Sequence, residues 1–168
     1  ILHVQMLGGF SMEYNGKRLA SEKNFTSKSS QLLQLLFLHM DDGIPKKVLL
    51  DALYGREDVE NQNGSLNNTI FRLRKQLKDI GLPDSKYINI QSGMCRWDGN
   101  IEVQVDVNEF RKLIEKEKKE KREEDKLHLW MQAWKIYKGE FLPDMIGENW
   151  AAVENVQCRD DYFQVTTQ

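Results

Sequence analysis

Apolar positions recur with helical spacing in several stretches of the chain and with alternating spacing in others. The clearest helical stretch is Ser65 to Lys78, SLNNTIFRLRKQLK. At roughly 100° per residue, Leu66, Ile70, Leu73 and Leu77 fall within one narrow arc, the pattern of a helix seated on a core. Asn68, Phe71, Arg72 and Lys75 point the other way, and Asn67, Arg74 and Lys78 flank them. Upstream, Thr26 or Ser27 can cap a helix whose body, QLLQLLFLHM, is apolar on nearly every side and is therefore expected to be buried. Asp41-Asp42-Gly43 closes that helix, and Pro45 opens a short one through Leu49, Leu50, Leu53 and Tyr54. Gly55 to Gly64 has no periodicity and reads as a polar loop.

Alternation predicts strands at two places. Leu2 to Tyr14 alternates weakly around Gly8-Gly9 and ends on Asn15-Gly16, a strong hairpin signal because both residues tolerate positive φ; an N-terminal antiparallel sheet is expected. KYINIQSGMCRWDG alternates and turns at Ser92-Gly93. The order of sheet, three helices and hairpin is that of a winged helix. A second unit follows. Asp106 and Glu109 have capping-box spacing ahead of Phe110, Leu113 and Ile114. That helix runs into EKEKKEKREED, whose mixed signs suit a solvated helix end and turn. Leu127, Trp130, Met131, Trp134 and Tyr137 share one side of a second helix. A third starts near Asn149 with Trp150, Val153 and Val156. These aromatics are expected to form helix-packing core.

Charge sharpens the functional reading. The chain carries a net charge of −2, but residues 1 to 100 hold 13 Lys and Arg against 11 Asp and Glu, and residues 101 to 168 hold 11 against 15. Nucleic-acid binding must therefore be local to one face. Helix 65–80 offers such a face, because its outer side collects cations and side-chain amides and has no carboxylate before Asp79. A solvated surface has the same appearance, so the neighbouring helices and hairpin add the weight. Lys28, Lys46 and Lys47, near the starts of the first two helices, suit phosphate contacts helped by free backbone N–H groups. Cys95 and Cys158 lack C-x-x-C spacing and the three His are scattered, so no metal site, no cofactor and no disulfide framework is expected. No Gly-rich phosphate loop, G-x-S-x-G or H-E-x-x-H is present, so no catalytic residues are expected and the protein is not read as an enzyme. No apolar run is long enough for a membrane span, and the start lacks signal-peptide character; the cytoplasm is expected and no membrane partner. The chain opens without Met and ends on a helical-looking segment, as a piece of a longer protein would.

Four segments carry a family resemblance: LGGF at Leu7 to Phe10, FRLRKQL at Phe71 to Leu77, VDVNEF at Val105 to Phe110, and YKGEFLPD at Tyr137 to Asp144 followed by Trp150 and Glu154. In this order the chain resembles the SARP family of bacterial regulators, the antibiotic-regulatory-protein type, which joins an OmpR-type winged helix to a bacterial transcriptional activator domain. The resemblance covers most of the chain. It implies an α+β fold: residues 1–100 as a winged helix-turn-helix DNA-binding domain with an N-terminal antiparallel sheet and a C-terminal wing hairpin, and residues 101–168 as the first part of an all-α, tetratricopeptide-like unit. It places Asn67, Asn68, Phe71, Arg72, Arg74 and Lys75 on the recognition helix, with Lys78 one turn on, and Ser92 to Arg96 at the wing tip. Family wings usually end in Gly-Tyr, whereas Met94-Cys95 precedes Arg96 here.

The function so implied is a sequence-specific regulator of transcription, an activator, that reads double-stranded DNA. The reader is helix 65–80 in the major groove, with a wing near 90–97 on the adjacent minor groove or backbone. Direct-repeat sites, a homodimer on DNA and RNA polymerase as a partner are implied by the resemblance alone. Phe71 suits either a thymine methyl group or a protein surface. The competing reading is a protein-interaction module, or an output fragment of a larger signalling protein, without direct DNA binding.

Overall fold

The computed structural model describes residues 1–19, 27–145 and 147–166, with side chains through residue 164. Thr26, one of the two expected helix caps, lies outside the described residues. The backbone contacts group the chain into two compact units, residues 1–16 with 103–168 (unit 1) and residues 17–102 (unit 2). The sequence expectation of a single division at 100/101 differs from this grouping in where it puts the N-terminal strands. The reason is a strand that the expectation lacks.

In unit 1, β1 (Leu2–Gln5) pairs antiparallel with β2 (Ser11–Tyr14), and Leu2 faces Tyr14. Asn15 and Gly16 at φ 52° and 79° make the expected tight turn. The other edge of β1 takes β7 (Val103–Val105) in parallel, Leu2 beside Val103 and Val4 beside Val105. The sheet is thus mixed and not purely antiparallel, because β7 fills the ladder bonds that β1 would otherwise leave open. Three helices follow: α4 (Asp106–Lys119), α5 (Glu123–Ile136) and, after a 3-10 turn at Pro143–Met145, α6 (Asn149–Thr166). LGGF and YKGEFLPD meet here. Gly8 N–H donates to Glu140 O at 2.8 Å and Leu142 N–H to Met6 O at 2.9 Å. A Cβ on Gly139 would lie 2.9 Å from Gly8 Cα, so the approach itself requires glycine.

The capping box expected at Asp106 and Glu109 is not the arrangement found. Asp106 Oδ1 instead accepts from Met6 N–H at 2.8 Å and Val107 N–H at 2.7 Å, and Oδ2 accepts from Leu7 N–H at 3.1 Å. The carboxylate is used to satisfy the end of β1. The expected aromatic core is only partly found. Phe110 is fully buried and Tyr137 stacks on Tyr162 at 4.3 Å, but Leu127, Met131 and Trp134 of α5 are 57%, 46% and 52% exposed. Among its described residues α5 buries only Ala133. On α6, Val153 and Val156 likewise face outward, while Ala151, Asn155 and Cys158 face in. An ion pair between Arg111 and Glu154 ties α4 to α6.

Unit 2 begins at β3 (Lys17–Arg18) and is organised around α1 (Lys28–Leu38). Ser27 Oγ caps this helix by accepting from Ser30 N–H at 3.2 Å. Every residue from Gln31 to Leu38 is buried, as an all-round apolar helix demands. β4 (Ile44–Pro45), α2 (Lys46–Tyr54) and α3 (Val59–Asp79) follow, then the hairpin β5 (Tyr87–Gln91) and β6 (Met94–Asp98). The hairpin and β4 form a three-stranded sheet in the order β4-β6-β5. Phe37 and Tyr87 pack on Trp97 at centroid distances of 5.0 and 5.1 Å, which closes α1 onto the hairpin.

The expected loop Gly55 to Gly64 is a correction. Only residues 55–58 connect the helices, because α3 starts at Val59 and takes Gly64 into its second turn. Gly64 penalises a helix by about 1 kcal/mol, and local bonds offset it. Gln62 Nε2 donates to Tyr54 O at 3.0 Å, and Ser65 Oγ donates to Glu57 Oε2 at 2.9 Å.

Candidate nucleic-acid interface

α3 seats Leu66, Ile70, Leu73 and Leu77 in the core of unit 2, with Thr69 beside them. Thr69 also hydrogen-bonds the Tyr54 hydroxyl, which fixes the end of α2 against α3. The opposite face is solvent-exposed and carries Asn67, Asn68, Phe71, Arg72, Lys75 and Lys78. These six stand together as the sequence expects. Spacings of three and four place Asn63, Asn67, Phe71, Lys75 and Lys78 along a single ridge. Asn63 was hidden from sequence reading by the apparent loop; the amide series 61, 63, 67 and 68 was the available signal.

Arg74 has a different occupation. Its Nε donates to Lys86 O at 2.8 Å and its Nη2 to Ile88 O at 2.9 Å. Those carbonyls flank Tyr87, whose φ of 59° is unusual for an aromatic residue. The Tyr87 hydroxyl bonds Pro83 O, a third tie on the same turn. Arg74 therefore spends its planar fork on the backbone that leads into β5.

Beside α3, an open groove of about 1090 Å³ runs between the helix and the residues leading into and along β5. Asn67, Phe71, Lys75 and Lys78 line one wall, Lys86, Asn89 and Ile90 the other, with Asp84 its one carboxylate among the described lining residues. Lys86 adds a cation that periodicity could not assign, since it lies in the loop after the helix.

The hairpin turn consists of Ser92 and Gly93 alone, at φ 53° and 75°. Met94 pairs with Pro45 and Cys95 with Ile44, so only that turn passes beyond the register shared with β4. Lys46 N–H donates to Gly93 O at 2.8 Å and ties the turn to the start of α2. Lys46, Lys47 and Ser92 are thereby brought to one end of unit 2. The expected wing tip of Ser92 to Arg96 is accordingly shorter. Cys95 is buried in β6, its thiol pushed up to about 11 by desolvation. Arg96 lies across Gly43, whose added Cβ would come within 2.7 Å of Arg96 Cγ. Lys28 is separate again, with Nζ 5.8 Å above the Tyr54 ring, a cation–π distance. The helix-end N–H groups expected to be free are in part used: Ser30 N–H by Ser27 and Lys46 N–H by Gly93.

Among the described residues no group of acidic, His and Cys side chains could hold a metal ion, and no helix is long and apolar enough to cross a membrane.

Residues 20–94 match the family model described as "Transcriptional regulatory protein, C terminal", a span within unit 2 that contains α1 to α3 and most of the hairpin. No curated protein matches the chain. Among solved structures, the chain is similar in fold to Mycobacterium tuberculosis EmbR, solved in complex with a low affinity phosphopeptide, with a TM-score of 0.72 and 18% identity. The likeness covers 99% of this chain and 44% of that one, so the chain spans less than half the length of the protein it resembles.

Proposed function

We propose that this chain is a sequence-specific, double-stranded DNA-binding transcriptional regulator whose reader is α3. The observation that carries this reading is the exposed ridge of amides and cations on α3, inside the residues that match a transcriptional-regulator family. A helix with a buried apolar arc and an opposite face of Asn, Arg and Lys fits a major groove. Arg72 is assigned to a guanine edge, and Asn67 or Asn68 to adenine. Lys75 and Lys78 are assigned to phosphates, and Arg74 positions the β5 strand.

The short turn suggests a modest wing. Ser92, Lys46 and Lys47 suit a phosphate contact beside the groove more than deep insertion into the minor groove, because Gly93 is tied back to α2. Arg96 contributes through its packing on Gly43. Activation, direct-repeat sites, a homodimer on DNA and contact with RNA polymerase complete the reading and rest on the SARP resemblance. So does the tetratricopeptide-like character of the helices, whereas work without catalysis or cofactor and the cytoplasmic setting are read from the residues, which hold no catalytic or metal-ligand motif and no apolar run of membrane length.

The test is selection from a randomised duplex pool, followed by anisotropy titration of the winner and a scrambled control at two salt concentrations. Enrichment of a motif, with the winner far tighter than the control, is expected. Absence of both enrichment and salt-dependent binding would instead favour a protein-interaction module, to which the exposed Leu127, Met131 and Trp134 would then be relevant.

A further inference from the structure

We infer that Phe71 is a specificity-determining residue that packs on the C5-methyl group of a thymine, and so the site read by α3 contains a required thymine opposite the middle of the helix. This rests on the reading of α3 as the DNA reader. Phe71 is 72% exposed, although a helix carrying four cations has no need of an aromatic ring in water. Among its neighbours one turn away in each direction, Arg74 is turned to the backbone that leads into β5, which leaves Asn67, Asn68 and Lys75, and Arg72 adjoins the ring. All are groups that hydrogen-bond base edges or phosphates.

The ring thus sits among the groups assigned to base edges and phosphates, on the face of α3 proposed to meet the duplex. In the major groove the one apolar feature a base pair presents is the thymine methyl. The groove beside the ring does not supply an equivalent apolar partner surface. Its floor residues Ile70 and Ile88 are only 6% and 2% exposed, which leaves Ile90 at 37% as the other exposed aliphatic side chain among its described lining. A protein-protein contact centre needs a larger desolvated cluster than two side chains rimmed by Lys75, Lys78 and Lys86. The two amides preceding the ring favour adenine, and an A·T-containing core is the consistent outcome.

The experiment uses the duplex selected from the random pool. Each thymine in turn is replaced by deoxyuridine, which removes the methyl and leaves base pairing intact. Binding is titrated with the wild-type chain, F71A and F71L. The expected result is a roughly fourfold loss of wild-type affinity per methyl at one position or two adjacent ones. F71A should bind the thymine duplex more weakly and be indifferent to uridine there, and F71L should retain part of the sensitivity. Phe71 is exposed, so neither variant should change the melting temperature. Wild-type indifference to uridine throughout a specifically bound site would overturn the assignment while leaving α3 as the reader. Equal uridine sensitivity in F71A and the wild type would overturn it too. If no sequence is enriched and no binding is seen, the DNA reading itself fails and this inference with it. A weakened protein complex in F71A would then mark the ring as a protein contact.

Discussion

The Arg74 guanidinium donates to the carbonyl oxygen of Ile88 at 2.9 Å, and its Nε reaches Lys86 O at 2.8 Å, so one side chain of α3 grips both sides of Tyr87. Because Tyr87 holds a φ of 59°, the grip stabilises a backbone turn that an aromatic residue rarely adopts. Charge-assisted bonds to two carbonyls from a solvent-exposed side chain stabilise by about 1 kcal/mol. Arg74→Ala is therefore expected to lower the melting temperature by several degrees. It should weaken binding to all DNA sequences alike. Thermal unfolding with a base-preference profile checks this; an unmoved melting temperature with relaxed preference at one base would return Arg74 to the reading set.

The other cations on α3 should separate by their salt response. Lys75→Ala and Lys78→Ala each remove a proposed phosphate contact, and each should reduce the slope of log affinity against log salt by about 1, on winner and scrambled duplexes equally. Arg72→Ala should instead cost roughly 1–3 kcal/mol, confined to one base position. Anisotropy titrations across a salt series distinguish the two. A uniform loss for Arg72→Ala would reassign it to the phosphate backbone.

Much of the candidate interface was legible because the exposure of this face depends on local periodicity. Leu66, Ile70, Leu73 and Leu77 specify which face of α3 is buried, and that alone exposes Asn67, Asn68, Phe71, Arg72, Lys75 and Lys78. What could not be read depends on contacts far apart in sequence. Arg74 lies at the margin of the apolar arc, and its fate is decided by carbonyls 12 and 14 residues on. Gly64 carries a loop signal that Gln62 and Ser65 override through Tyr54 and Glu57. β7 has only three residues, and its partner β1 lies far upstream, at the start of the chain. On α5 the stripe Leu127, Met131 and Trp134 has core periodicity, yet nothing among the described residues covers it. Periodicity reports that a face is apolar and says nothing about whether a neighbour is present.

Gly43 should be a sensitive position for the short wing. It sits at φ 77°, where an added Cβ would meet Arg96 Cγ at 2.7 Å and Cys95 O at 3.0 Å. The backbone strain and the displaced β6 carbonyl act together. Gly43→Ala is expected to cost about 1–3 kcal/mol of stability. Arg96→Ala added to it should recover only the part due to the side-chain clash, leaving the backbone part. Denaturant unfolding of both variants checks the order. A Gly43→Ala chain as stable as the wild type would mean that the α1–β4 turn adjusts freely.

Asp106 gives unit 1 a pH dependence of definite sign. Burial pushes its carboxyl up from the ordinary 3.8 to about 6, against the opposing pull of the Met6, Leu7 and Val107 N–H groups and the Lys138 charge. Between those two pH values the folded chain retains a proton that the unfolded chain has released. The contribution of this group to stability is therefore complete below pH 3.8 and lost as pH rises through 6. The shift corresponds to a change on the order of 3 kcal/mol. Carbon-detected titration of the Asp106 carboxyl should show a midpoint near 6. Protection factors of the Met6 and Leu7 amides should fall over the same range. In Asp106→Asn that pH dependence should vanish, on a background destabilised because an amide nitrogen cannot accept from Leu7. A carboxyl midpoint below 4 would mean that the three N–H donors outweigh burial, and stability would then rise with pH through that range.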